Sequence, residues 1–197
     1  MIRPRAAFGK VAYVPPEVGP YAPHVGQTEA VDAARVLFAA AAERLRDSPD
    51  EAVAELEPAR RRLGIMRAAR LRPVARAWRL GVLLLSADGT VRATGSVTRA
   101  VPPGHPGHVA ASTEERREVR AAAFRGPFPE GATVYFDSPI IELTAEALRR
   151  AGGPILLRDD RVLVRWSLSA SDDAARDLGP YLDERIALLL DPPQGAT

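Results

Sequence analysis

The chain has 197 residues, of which 46% are apolar, enough to fill the core of one domain. It contains no cysteine, which excludes disulfides, thiolate catalysis and cysteine-ligated zinc, and Lys10 is its single lysine beside 26 arginines. The net charge of +2 is uneven: residues 1–57 sum to −3, residues 58–86 to +8 with eight arginines and no acid, and residues 87–197 to −3.

Residues 1–27 hold Pro4, Pro15, Pro16, Pro20 and Pro23 among Gly9, Gly19 and Gly26, a composition that denies the backbone donors and regular dihedrals and predicts an extended arm. No run near the N-terminus has the apolar stretch of a signal peptide, and the longest apolar runs, such as Leu80 to Leu85, are too short to cross a bilayer. A cytoplasmic protein with no membrane partner is expected. The near-exclusive use of arginine over lysine fits the coding of a GC-rich bacterial genome.

From Thr28, whose hydroxyl is suited to an N-cap, Val31, Ala34, Phe38, Ala41 and Leu45 recur at helical spacing along one face. Ser48-Pro49-Asp50-Glu51 has the form of a capping box with proline at the first helical position, which predicts a second helix. That helix is interrupted at Pro58, continues through the arginines and ends before Pro73. Residues 28–72 are therefore read as helical and residues 76–194 as sheet plus helices, together forming one domain over residues 28–194.

Leu80 to Leu85, the turn pair Asp88-Gly89 and the alternating run from Val91 predict a β-hairpin with a buried first strand. Ser112-Thr113-Glu114-Glu115 opens a helix that stops at Gly126-Pro127, and Thr133 to Asp137 reads as a short strand. Thr144 caps a short helix. Ile155 to Arg158 and Val162 to Ser167 then flank Asp159-Asp160 as a second hairpin, and Ser171-Asp172-Asp173 opens the last helical stretch, broken at Gly179-Pro180. The fold class is α+β: a mainly antiparallel sheet of about five strands built from two hairpins, with helices on one face. The element order broadly resembles GAF-like and profilin-like folds.

Three residue groups are candidates for a site. If the two hairpins are neighbours, Arg92, Thr94, Ser96 and Thr98 join Arg161, Arg165 and Ser167 on one polar face, where guanidinium forks and hydroxyls suit a small anionic ligand. The segment holding Arg60, Arg61, Arg62, Arg67, Arg70, Arg72, Arg76 and Arg79 either contacts an acidic partner or pairs internally with Glu43, Glu51, Glu55 and Glu57. Nucleic acid is the less favoured partner for it, because only Trp78 supplies an aromatic. His105 and His108 are a weak metal pair, since a Pro-Gly spacer does not converge two rings as a helical pair does, and no metal or cofactor is expected. No serine has a nucleophile-elbow setting, and Ser112 is better used as a cap. An uncovered hairpin edge would permit a homodimer.

The stretches Ala77-Trp78-Arg79-Leu80-Gly81-Val82-Leu83-Leu84-Leu85, Thr94-Gly95-Ser96-Val97-Thr98-Arg99-Ala100-Val101, and Glu114 to Arg117 through Ala123-Phe124-Arg125-Gly126-Pro127-Phe128 resemble an uncharacterised family of short actinobacterial proteins. Some members carry the automatic label glutaminase, and the resemblance covers residues 74–194. It implies an amide hydrolase, yet the Ser-x-x-Lys nucleophile motif of serine-dependent glutaminases is missing, because Ala7 stands three residues before Lys10. The residues themselves lead to a different expectation: a non-catalytic binding or interaction module that works through its polar sheet face or its basic segment.

Overall fold

The computed structural model describes residues 25–62, 65–102, 111–150, 152–167 and 170–192. The expected arm falls largely outside them, and Val25 already belongs to the first helix, α1 (Val25–Leu45). Its predicted stripe of Val31, Ala34, Phe38, Ala41 and Leu45 is buried.

The second helix does not form. After Asp50 the chain runs as β1 (Glu51–Glu57), β2 (Arg60–Arg62), β3 (Ile65–Arg67) and β4 (Arg70–Leu80), so the arginine segment is entirely strand and its connections. Ala, Glu and Leu in β1 favour a helix in isolation, but antiparallel pairing with β4 overrides that weak preference. The register sets Glu55 opposite Arg72 and Glu57 opposite Arg70, as cross-strand pairs of opposite charge. Pro73, expected to end a helix, sits where the register slips between Val53 and Ala54, a bulge that tolerates a residue with no N–H to donate.

Leu80 to Leu85 is not one strand. Gly81, at φ 65°, makes a two-residue turn from β4 into β5 (Leu83–Leu85), and the Asp88-Gly89 turn then leads to β6 (Val91–Ala93). The Tyr181 hydroxyl pins the first turn, accepting from Val82 N and donating to Leu80 O, each at 3.0 Å. A Cβ at Gly81 would fall 2.3 Å from that hydroxyl, so both the conformation and the space require glycine. The alternating run breaks as well: Thr94-Gly95 separates β6 from β7 (Ser96–Arg99), and the two take opposite edges of the sheet. Helix α2 (Ala111–Phe124) follows, then β8 (Thr133–Phe136) as expected.

Six of these strands form a curled, mostly antiparallel sheet in the order β6-β5-β4-β1-β8-β7, with β1 and β8 parallel. One edge is covered: residues 139–141 run beside β6, with Ala93 N donating to Pro139 O and Ile141 N to Val91 O. Helix α3 (Ala145–Arg149) carries the expected cap, Thr144 Oγ1 accepting from Ala147 N at 3.2 Å. The second hairpin is β9 (Ile155–Arg158) and β10 (Arg161–Val164), turned at Asp159 and Asp160 with positive φ. It belongs to a separate three-stranded sheet, completed by β11 (Arg176–Asp177). Ser171-Asp172-Asp173 opens only a short 3-10 turn, and Gly179-Pro180 lies in the first turn of the closing helix α4 (Leu178–Leu190) instead of breaking it.

Alternation along the strands divides the core. Trp78, Leu80, Leu83, Leu85 and Val91 face α1, α3, α4 and the smaller sheet. Ala52, Ala54, Leu71, Val134 and Phe136 pack under Ala122 and Ala123 of α2. Val53, Ala77, Leu84 and Tyr135 pack together on the opposite face of the sheet. Among the described residues no helix is long and apolar enough to cross a membrane.

Candidate functional site: the arginines left without counter-charges

The polar face expected across the two hairpins is not assembled, because those hairpins lie in separate sheets. Arg92 Nη1 donates to Ser138 O at 3.1 Å and Thr94 Oγ1 to Gly81 O at 3.2 Å, so both fasten the sheet's own connections. Arg161 pairs with Asp177 at 2.5 Å across the smaller sheet. Arg165 is buried, held by Asp172 at 2.6 Å and by the carbonyl of Gly153. Of the seven residues expected on that face, Ser96 and Thr98 line a cleft along β7, and Arg92 lines a separate hollow of about 700 Å³ beside Ser138 and Pro139. Trp166, which follows Val162 and Val164 at two-residue spacing, lies beyond β10 and is 54% exposed. His105 and His108 lie outside the described residues, as does His24; among the described residues no group of three or more metal-ligating side chains gathers.

The basic segment splits into two populations. Along the β1–β4 stem three arginines meet acids: the register sets Arg70 against Glu57 at 2.8 Å and Arg72 against Glu55 at 2.6 Å, with Glu57 also 3.3 Å from Arg72, while Arg76, whose register partner is Ala52, reaches Asp50 just before β1 at 2.6 Å. The hydrogen bond from Arg70, with the charges of Arg70, Arg60 and Arg72, holds the Glu57 carboxyl below the usual range. Glu55 and Glu57 thus serve as the anticipated internal partners. Glu43 pairs with Arg46 instead, and Glu51 accepts a hydrogen bond from Tyr135.

Beyond the stem, β2 and β3 form a separate two-stranded hairpin in which Arg60 stands directly opposite Arg67 and Arg61 opposite Met66. Arg60, Arg61 and Arg67 are exposed, and Met66 is 67% exposed. At the hairpin base Arg60, Arg67 and Arg70 join Arg125 from the end of α2 around a hollow of about 340 Å³, with Glu57 as its only acid. Arg125 Nε donates to Ala69 O at 2.8 Å, which fixes its guanidinium at the rim. The expected helix through the arginines is absent, so Arg60, Arg67 and Arg70 are not brought together by helical spacing. They do converge, but through a hairpin, with Arg61 on the neighbouring register position and Arg125 contributed from 56 residues away.

A second cleft, of about 1110 Å³, lies along β7. Arg79 and Arg99 reach it from the sheet and Arg116 and Arg120 from α2, around Ser96, Val97, Val119 and Tyr135, with Glu51, Glu115 and Asp137 as its acids. Tyr135 Oη donates to Glu51 Oε2 at 2.8 Å. Burial, reinforced by that carboxylate, pushes the phenol up to about 12, so the group is a neutral donor at ordinary pH. Arg99, Arg116 and Arg120 have no ion-pair partner among the described residues, in contrast to Arg117 one position along α2, which pairs with Glu114 at 2.6 Å. Nothing in the lettering Glu114-Glu115-Arg116-Arg117-Glu118 separates these arginines; only the packing of Ala122 and Ala123 decides which helix face turns to the cleft.

Comparison with protein-family models, with curated proteins and with solved structures returns no match.

Proposed function

We propose that this protein is a non-catalytic interaction module that captures carboxylates of an acidic protein partner at the base of its arginine hairpin. One observation carries the reading. Arg60, Arg67, Arg70 and Arg125 surround one hollow, and its single acid, Glu57, is already shared by Arg70 and Arg72. Arg60 opposite Arg67 is a like-charge cross-strand pair, which destabilises the free hairpin and is offset when an external carboxylate sits between the two guanidinium groups. Planar forks at such a position accept a carboxylate in bidentate fashion.

An acidic protein is favoured over nucleic acid because residues 60–67 contain no aromatic side chain on which a base would stack, while Met66 offers an exposed apolar contact. Fluorescence anisotropy at low salt with labelled hexaglutamate and with labelled random-sequence duplex tests this directly. The expected result is salt-sensitive hexaglutamate binding that weakens about tenfold in the R60S/R67S variant, the combined effect of losing two exposed ion pairs. Tighter binding of the duplex would transfer the surface to nucleic acid. Ammonia release from glutamine by the pure protein would overturn the non-catalytic reading and favour the amide hydrolase that the family resemblance implies.

A further inference from the structure

The two edges of the curled sheet are treated differently. Residues 139–141 cover β6, whereas among the described residues no strand lies against the outer side of β7. Gly95 lets the chain enter β7 against β8: a Cβ there would stand 2.2 Å from Asp137 O and 2.4 Å from Phe136 O. Ala100 N then donates to Ala132 O, towards β8. By the two-residue alternation of an antiparallel ladder, Ser96 and Thr98 also bond inward, and the N–H and C=O of Val97 and the N–H of Arg99 turn outward. Val97 is 57% exposed, and neither proline nor lysine protects the strand.

Side chains flank this edge in a defined way. Val97 pairs with Tyr135 and Arg99 with Thr133 on the face shared with Val53 and Leu84, while Thr98 pairs with Val134 on the α2 side, where Arg116 and Arg120 stand. Arg116 and Arg120 are four residues apart on one helix, a like-charge spacing that is unfavourable without a counter-ion.

We infer that β7 is a docking edge that accepts, as an added strand, an extended segment of another protein with carboxylates at alternate positions. Backbone groups of the incoming strand bond to Val97 and Arg99, its carboxylates meet Arg116 and Arg120, and its intervening apolar residues cover Val97 beside Tyr135. A second copy of this chain is a poor occupant, because pairing β7 with itself across a twofold axis would bring Arg99, Arg116 and Arg120 of both copies together. The inference stands on the open edge and is independent of the hairpin hollow.

The probe is a fluorescein-labelled ten-residue peptide of alternating Asp and Val, titrated into the full chain by anisotropy. Two further peptides carry N-methyl groups on all Asp or on all Val residues, which blocks one backbone edge each. Binding is expected for the unmodified peptide and for one methylated form, with the other form losing binding. All titrations use the R60S/R67S background, which removes the hairpin hollow as a competing carboxylate site, and adding R116A/R120A to it should weaken binding about tenfold. Equal binding of both methylated peptides would reduce the site to charge attraction and overturn strand addition. No binding of the unmodified peptide, or a dimer in sedimentation that Val97→Asp dissolves, would equally overturn it.

Discussion

The β1–β4 stem and the surfaces around α2 and β7 use the same residue, arginine, to opposite ends. On the stem, Arg70 and Arg72 stand across from Glu57 and Glu55, Arg76 reaches Asp50 just before β1, and the charge closes on itself. In the hairpin and the β7 cleft, Arg60, Arg67, Arg99, Arg116 and Arg120 point at open volume. Among the strand arginines the register separates the two groups: it places an acid opposite Arg70 and Arg72, but Arg67 opposite Arg60 and Thr133 opposite Arg99. Local charge density is therefore a poor guide to a binding surface, and the unmatched register position is a better one.

The largest test asks what holds the stem together. Leu71 lies between Arg70 and Arg72 and is fully buried against α2, so Leu71→Ala should cost about 2–5 kcal/mol in denaturant unfolding, far more than any of the ion pairs beside it. Tyr181→Phe removes the hydroxyl that bridges Leu80 O and Val82 N and leaves two turn groups unmatched; a loss of about 1–2 kcal/mol is expected in the same assay. Arg76→Ala, which breaks the exposed pair with Asp50, should cost no more than about 1 kcal/mol. Arg120→Gln should go the other way, raising stability by about 0.2–0.5 kcal/mol as the repulsion with Arg116 is relieved. If both of these changes destabilised equally, the distinction between paired and unpaired arginines would fail.

Titration sharpens the same contrast. Glu57 is held below its ordinary value by Arg70, so the linked stability is present at neutral pH and is lost as pH falls through the depressed value; Arg70→Ala should move the carboxyl midpoint, followed by NMR, up towards 4.5. Tyr135 has the opposite sign. Between 10.0 and about 12 the folded protein retains a phenol proton that the unfolded chain releases, so stability should fall with rising pH in that window. Tyr135→Phe should remove that component, as read by alkaline denaturation.

Elements whose signal is local were legible in the sequence. The stripe from Val31 to Leu45, the Thr144 cap, the Asp159-Asp160 turn and the strand from Thr133 follow from spacing and turn chemistry, and all are present. The region from Glu51 to Arg67 was not, because the Ser48-Pro49-Asp50-Glu51 pattern and the helix-forming residues of β1 outweigh, over a short window, a pairing partner that lies in β4. Arg60, Arg67 and Arg70 were visible as a charge excess. Arg99, Arg116, Arg120 and Arg125 were not, since each is unremarkable among its sequence neighbours and acquires its setting from an element far along the chain.

Composition and periodicity alone determined that this is an α+β protein without thiol chemistry, with a helix packed along one apolar face and an arginine excess in its first half. Tertiary structure decided which arginines are neutralised and which edge of the sheet is open. The reason is physical: apolar periodicity is written into consecutive residues, whereas charge compensation and edge pairing depend on groups brought within a few ångströms only when distant strands take their register.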